Sequence, residues 1–197
     1  MGGPSAASGW PDVAPEVVAA AQAGDERAFA QIVHHYQRAV FTIAWRMAGE
    51  ASTAEDLAQE VFLRAWRKLG TFRLGAPLKP WLLRLASNVC INALKKRRPT
   101  AVSMLGNEDG DAREPASEAP GAPELAAKGE AAELLERAIA QLPDDYRLVV
   151  TLRHVEELSC EEIAAALGRP LGTIKVQLFR ARERLRRMLS PLLGDER

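Results

Sequence analysis

"LSCEEIAAALGRPLGTIKVQLFRARERLR", residues Leu158–Arg186, starts acidic, turns through glycine and proline, and ends almost wholly basic. Ser159, with Glu162 three residues on, spells a capping box, in which the two side chains satisfy N–H groups that a helix start leaves open. Ile163, Ala164 and Leu167 then share one face, and Gly168 is the residue type that ends a helix in left-handed backbone. After the turn "RPLG", Thr173 is a candidate cap, and Ile174, Leu178, Ala181 and Leu185 recur as a second apolar stripe. A supporting helix, a tight turn and a second helix presented outward make a helix-turn-helix.

The outward face of the second helix points to its ligand. From Arg169 to Arg187 there are seven basic residues and one acid, Glu183. Solvated helix faces usually mix signs, so this one predicts contact with DNA. Lys175, Gln177 and Arg180 lie in the N-terminal half, where a helix set into a major groove reaches base edges. Gln pairs with adenine and Arg with guanine. The later arginines suit phosphates, which supply affinity and register but little sequence information.

Working outward, the spacing predicts helices throughout. Leu134, Leu135, Ala138, Ile139 and Leu142 mark one, and beyond "LPDD" Tyr146, Val149, Leu152 and Val155 mark another. Near the N-terminus Asp25 can cap a long helix whose stripe is Phe29, Ile32, Val33, Tyr36, Val40, Ile43 and Met47, closed by Gly49. Ser52 and Glu55 read as a second capping box, before a helix with Leu57, Val61, Phe62, Ala65, Trp66 and Leu69 inward. Pro80 suits the first turn of a further helix lined by Trp81, Leu82, Leu85, Val89 and Leu94. No strand-like alternation of useful length occurs. The reading is an all-α protein of two small helical domains: a disordered N-terminus over 1–14, a helical bundle over 15–98, a flexible acidic linker over 99–129, with helix signals resuming near Glu124, and a helix-turn-helix domain over 130–192.

Charge is distributed in blocks. The 197 residues carry 26 basic and 26 acidic side chains, yet residues 26–98 hold 13 basic and 5 acidic while residues 99–133 hold 2 basic and 8 acidic. A ligand several Debye lengths across feels such patches and not the neutral sum. Two cysteines, Cys90 and Cys160, without partners at metal spacing, are read as thiols with no disulfide or metal role. No run of 18 apolar residues and no basic segment followed by an apolar core is present, so a soluble cytoplasmic protein without membrane insertion is expected.

The first lobe has a basic surface of its own. Residues 81–98 contain five basic residues and no acid, with Ser87, Asn88 and Asn92 at helical spacing. Trp81 is either a core residue or a platform on which unpaired bases stack; a helix carrying both charge and aromatic suits partly melted DNA. Against this, "AEDLAQEVFLRAW" exposes Glu55, Asp56, Gln59 and Glu60 as an acidic patch. It would repel DNA but suit a basic groove on a protein.

Together, "AEDLAQEVFLRAWRKLGTFR…PWLLRLASNVCINALKKRRP" and "LPDDYRLVVTLRHVEELSCEEIAAALGRPLGTIKVQLFRARERLRRML" resemble bacterial RNA polymerase sigma factors of the sigma-70 family, extracytoplasmic-function (ECF) class. The resemblance implies a transcription initiation factor that directs core RNA polymerase to promoters. It implies that Asp56, Leu57, Gln59, Glu60 and Phe62 dock on the clamp helices of the largest polymerase subunits. Arg73, Lys79, Trp81, Arg84, Ser87, Asn88, Asn92, Lys95 and Lys96 would recognise and help melt the minus-10 element. The second lobe would dock on the beta flap and read the minus-35 element through Arg169, Gly172, Thr173, Lys175, Val176, Gln177, Phe179, Arg180 and Arg182. An anti-sigma factor is an implied partner, the linker would follow the RNA-exit path, and no cofactor or metal is implied. The competing reading, a stand-alone helix-turn-helix regulator, leaves the acidic patch and the first basic helix without a use. An enzyme is disfavoured, because His34, His35 and His154 have no clustered carboxylates or thiols and no phosphate-binding loop occurs.

Overall fold

The computed structural model describes residues 12–97 and 123–190. The first lobe comprises α1 (Pro15–Gln22), α2 (Glu26–Ala48), α3 (Ala51–Lys68), a short 3-10 turn (Leu69–Thr71) and α4 (Leu78–Arg97). The second comprises α5 (Pro123–Ala140), α6 (Asp144–His154), α7 (Cys160–Leu167) and α8 (Leu171–Leu189). Every regular element among the described residues is helical, as the periodicity predicts. Trp10 and most of the acidic linker lie outside the described residues.

The long α2 is the axis of the first lobe. Asp25 caps it, its carboxylate accepting from the N–H groups of Arg27 (2.8 Å) and Ala28 (3.2 Å), and Gly49 closes it in the left-handed region at φ 73°. Ile32, Tyr36, Val40, Ile43 and Met47 are buried along one stripe, each contributing about 1.5–3 kcal/mol relative to exposure. The α3 face seats Ala54, Val61 and Ala65 against it, and Trp66 packs on Phe29 with ring centroids 4.8 Å apart.

Two expected caps are corrected. Glu50, in extended backbone directly after Gly49, takes the N-cap position of α3, so Ser52 falls inside the first turn. Its hydroxyl donates to the Glu50 carboxylate (2.6 Å), and no Ser52–Glu55 box forms. Likewise Pro170, at φ −57° and ψ 141°, leads directly into α8, which makes Thr173 the third residue of the helix and shortens the turn to Gly168–Pro170. The Ser159–Glu162 box is present in both directions, at 3.1 Å and 2.7 Å.

The α4 stripe is wider than its expected one. Leu78, Leu82, Leu83, Ala86, Ser87, Val89 and Cys90 are all buried, an arc of about 180° at 3.6 residues per turn. Trp81, Leu85 and Leu94 are half-buried at its edge. The reason is that α4 is covered twice: by α2 and α3 of its own lobe, and by α7 of the other. The lobes also meet where α2 packs on α6, so that one apolar core runs through both. The chain preceding α1 is tied down as well, from Asp12 onward, within the segment expected to be disordered.

Candidate nucleic-acid and polymerase interfaces

α8 is built as a presented helix. Ile174, Leu178 and Ala181 are buried, and Gly168, left-handed at φ 63°, ends α7 so that α8 can set off in a new direction. Gly172, Thr173, Lys175, Val176, Phe179, Arg180 and Arg182 face outward. Two of them are apolar: Phe179 is 66% and Val176 48% exposed. Arg169 and Gln177 are more constrained. The Arg169 guanidinium donates to Asp145 (2.7 Å) and to the Gln177 side-chain oxygen (3.4 Å), tying the turn to α6. Arg184 lies over the Tyr146 ring, 5.5 Å from its centroid, and belongs to the packing of the lobe.

In the first lobe, Arg84, Asn88, Asn92 and Lys95 form one exposed row along α4, with Lys96 also exposed and Arg73 exposed on the preceding loop. Trp81 resolves toward packing: it is half-buried, its ring 5.3 Å from that of Phe72. Ser87 is fully buried, and its hydroxyl donates to the Leu83 carbonyl (2.8 Å). Its expected place on the exposed polar face is corrected by the double coverage of α4. Lys79 is only 6% exposed. Its ammonium donates to the Glu156 carbonyl (3.0 Å) and lies 3.8 Å from the Glu156 carboxylate, across the seam between the lobes.

The acidic patch is on α3. Asp56 and Gln59 are exposed, Glu60 is half-exposed and paired with Arg64 one turn on, and Leu57 and Phe62 pack against the core. The polar members present the patch while the apolar ones anchor it. Pattern reading missed Phe41 and Trp45, exposed and stacked with centroids 6.3 Å apart on α2. The signal was available, two aromatics one turn apart and off the buried stripe.

Further contacts hold the lobes together. Arg46 on α2 pairs with Glu136 on α5, and Arg147 donates from one guanidinium nitrogen to the Ala140 and Leu142 carbonyls (2.6 and 2.9 Å) and from the other toward the Arg46 and Met47 carbonyls (3.5 and 3.4 Å). A Cβ at Gly168 would stand 3.6 Å from the Arg84 guanidinium, so this arginine borders the seam too. Burial raises the Glu156 carboxyl above its ordinary range, opposed by Lys79 and Arg38 and assisted by Glu157. Burial, with Arg182 and Arg153, lowers the His154 imidazole. Burial pushes the Cys90 thiol up to about 12, and both cysteines are free. Among the described residues no cluster of His, Cys, Asp or Glu could hold a metal ion, and no helix is long and apolar enough to cross a membrane.

Comparison with known proteins bears directly on this arrangement. The family described as Sigma-70 region 2 matches residues 32–100, and Sigma-70, region 4 matches residues 132–185. The chain belongs to the sigma-70 family, ECF class. It is 35% identical to the ECF RNA polymerase sigma factor SigW of Bacillus subtilis, over 86% of this chain and 92% of that protein. It is 37% identical to the RNA polymerase sigma-H factor of Pseudomonas aeruginosa, over 91% and 95%. The sigma factor RpoE of Bartonella quintana, solved in complex with the anti-sigma factor NepR, superposes with a TM-score of 0.60 at 25% identity, over 82% of this chain and 96% of that one. In this sigma factor the region 2 match ends just past α4, and the region 4 match ends on α8.

Proposed function

We propose how the two lobes divide the work of this promoter-directing initiation factor: the first docks on core RNA polymerase and engages the minus-10 element, and the second reads duplex minus-35 DNA. The observation that carries the reading is α8, whose stripe is seated inward while Lys175, Val176, Phe179, Arg180 and Arg182 stand outward. In a major groove Arg180 and Lys175 suit guanine edges, and Phe179 and Val176 suit thymine methyl groups. Gly172 and Thr173 sit at the N-terminal end of the helix, where backbone N–H groups suit a phosphate. Arg169 and Gln177 act as a braced pair that fixes the turn. Along α4, Arg84, Asn88, Asn92, Lys95 and Lys96, with Arg73 on the loop, form the strand-binding row, and Trp81 supports the loop through Phe72. Ser87 serves helix packing.

Asp56, Gln59 and Glu60 face the clamp helices of the polymerase, and the second lobe meets the beta flap. An anti-sigma factor is the natural competitor for these surfaces. Lys79 reaches DNA only when the lobes part, which makes the described arrangement the closed one. A stand-alone regulator would use α8 alone and leave α3 and α4 unexplained.

The test is transcription reconstituted with purified core polymerase. Glu60→Arg lowers core affinity by tenfold or more with the helical circular dichroism unchanged, an order-of-magnitude expectation for reversing a charge at an interface. Arg180→Ala lowers transcription from minus-35-dependent promoters by about tenfold, the scale of one lost base contact. Wild-type values for either variant overturn the corresponding assignment.

A further inference from the structure

The loop that leads into α4, Arg73–Pro77, is exposed at every residue. It precedes a helix that its own sequence cannot cap. A helix start leaves its first N–H groups open, and an acceptor side chain just before it normally takes one. Here the three residues before Leu78 are Gly75, Ala76 and Pro77, which have no side-chain acceptor.

The missing acceptor comes from 66 residues upstream. One oxygen of the Asp12 carboxylate accepts from the Leu78 N–H at 2.7 Å. The other accepts from the Val13 N–H (2.9 Å) and from the Tyr36 hydroxyl, so the carboxylate is held by α2 while it caps α4. Burial and this bond raise the Tyr36 hydroxyl well above its ordinary range, which keeps it a donor throughout the working pH range. At the other end of the loop, the Gln22 side-chain amide on α1 donates to the Leu69 (2.8 Å) and Phe72 (2.6 Å) carbonyls. The N-terminal strap thus grips the loop at both ends. Between strap and loop lies a cavity of about 340 Å³ bounded by Val13, Pro15, Val18, Phe72, Leu74 and Pro77. Gly75, left-handed at φ 85°, turns the loop over it.

We infer that Asp12 is a positioning residue for promoter opening: by capping α4 from outside the region 2 match, it holds the loop Arg73–Pro77 and the first turn of α4 in the geometry that engages the minus-10 strand. Asp12 touches no DNA; it acts through Leu78 and the loop. The inference rests on the reading of α4 and its loop as the minus-10 surface, and the experiment separates the two.

Holoenzyme is assembled from core polymerase and full-length Asp12→Ala, Asp12→Asn, Arg84→Ala or Ile32→Val protein. Core affinity is measured by anisotropy, and promoter opening by the rate at which unpaired thymines become reactive to permanganate. Asp12→Ala slows opening by about five- to tenfold, the scale of one lost N-cap bond, with unchanged core affinity. Asp12→Asn, whose single amide oxygen can accept from Leu78 while its NH2 group faces the Val13 N–H and the Tyr36 hydroxyl, recovers part of the rate. Ile32→Val trims the buried face of α2 while removing none of the hydrogen bonds made by Asp12, and opens promoters normally. Wild-type opening by Asp12→Ala overturns the inference, as does an equal defect in Ile32→Val, which would mark the effect as loss of stability. If Arg84→Ala has no effect on opening, the minus-10 reading fails; if it slows opening and Asp12→Ala does not, only the positioning inference fails.

Discussion

Glu156→Arg should open the two lobes. Lys79 and Glu156 are 6% and 7% exposed, and the ammonium sits 3.0 Å from the Glu156 carbonyl and 3.8 Å from its carboxylate. Two unit charges about 4 Å apart interact by about 4 kcal/mol at the effective dielectric of about 20 that suits such sites. In the native pair, desolvation offsets much of that attraction, which is why the Glu156 carboxyl stays above its ordinary range. Arginine turns that attraction into a repulsion without removing the desolvation, so closure loses at least about 4 kcal/mol, a shift of roughly 10³-fold or more in the closed-to-open ratio. The Arg46–Glu136 pair and the Arg147 bridge remain and set the floor. Small-angle scattering of the free protein should show a larger radius of gyration. Anisotropy with a single-stranded minus-10 oligonucleotide should show tighter binding, because Lys79 and the seam side of Arg84 are released. Glu156→Arg combined with Lys79→Glu should close the lobes again while binding the oligonucleotide poorly. Unchanged dimensions and unchanged oligonucleotide affinity for Glu156→Arg would refute the account of the seam.

The same seam predicts a pH dependence with a definite sign. The Glu156 carboxyl is raised in the closed state and ordinary in the open one, so its contribution to closure is fully present below the ordinary carboxylate range and is lost as pH rises through the raised value. Lys79 and Arg38 are the basic groups that face it, and Glu157 is the neighbouring acid. Scattering from pH 7 to pH 5 should therefore show compaction, and Glu156→Gln, which mimics the protonated acid, should stay compact with a flatter profile; expansion on acidification would reverse the argument. The cysteines should differ sharply in reactivity. With the Cys90 thiol pushed up to about 12 and fully buried, its thiolate fraction at pH 8 is about 10⁻⁴, so native-state iodoacetamide should modify half-buried Cys160 well before Cys90. Peptide mass spectrometry with timed quenching reads this directly, and equal rates would mean that the α4 core opens far more often than its packing implies.

What the sequence made legible follows from the range of each interaction. Helices and their caps depend on residues within four positions, so the α2 stripe, Asp25, Gly49 and the Ser159–Gly168 unit could all be read from spacing. The misread caps at Ser52 and Thr173 have the same range but were decided by a neighbour: Glu50 extended directly after Gly49, and Pro170 already set for a helix start. The polar side of α8 was legible because six cations against one acid lie along the helix, a bias readable without reference to any other element.

The α4 surface was only half legible, and the reason is that two clients shape it. Its exposed row, Arg84, Asn88, Asn92 and Lys95, repeats at helical spacing and can be read alone. Ser87 and Lys79 cannot, because what covers them is α7 and the Glu156 turn, more than 65 residues away, and periodicity carries no term for a partner at that distance. Asp12 is hidden for the same reason, looking like one acid in a glycine- and proline-rich tail until the uncapped start of α4 is placed beside it. A lysine on a nucleic-acid-binding helix normally stays in water until DNA arrives. Lys79 is instead held by Glu156, so on the proposed reading α4 must give up an internal partner before this lysine takes DNA. On the proposed reading, contact of Lys79 with DNA is thereby coupled to release of the second lobe, and a ligand that favours the open form frees it.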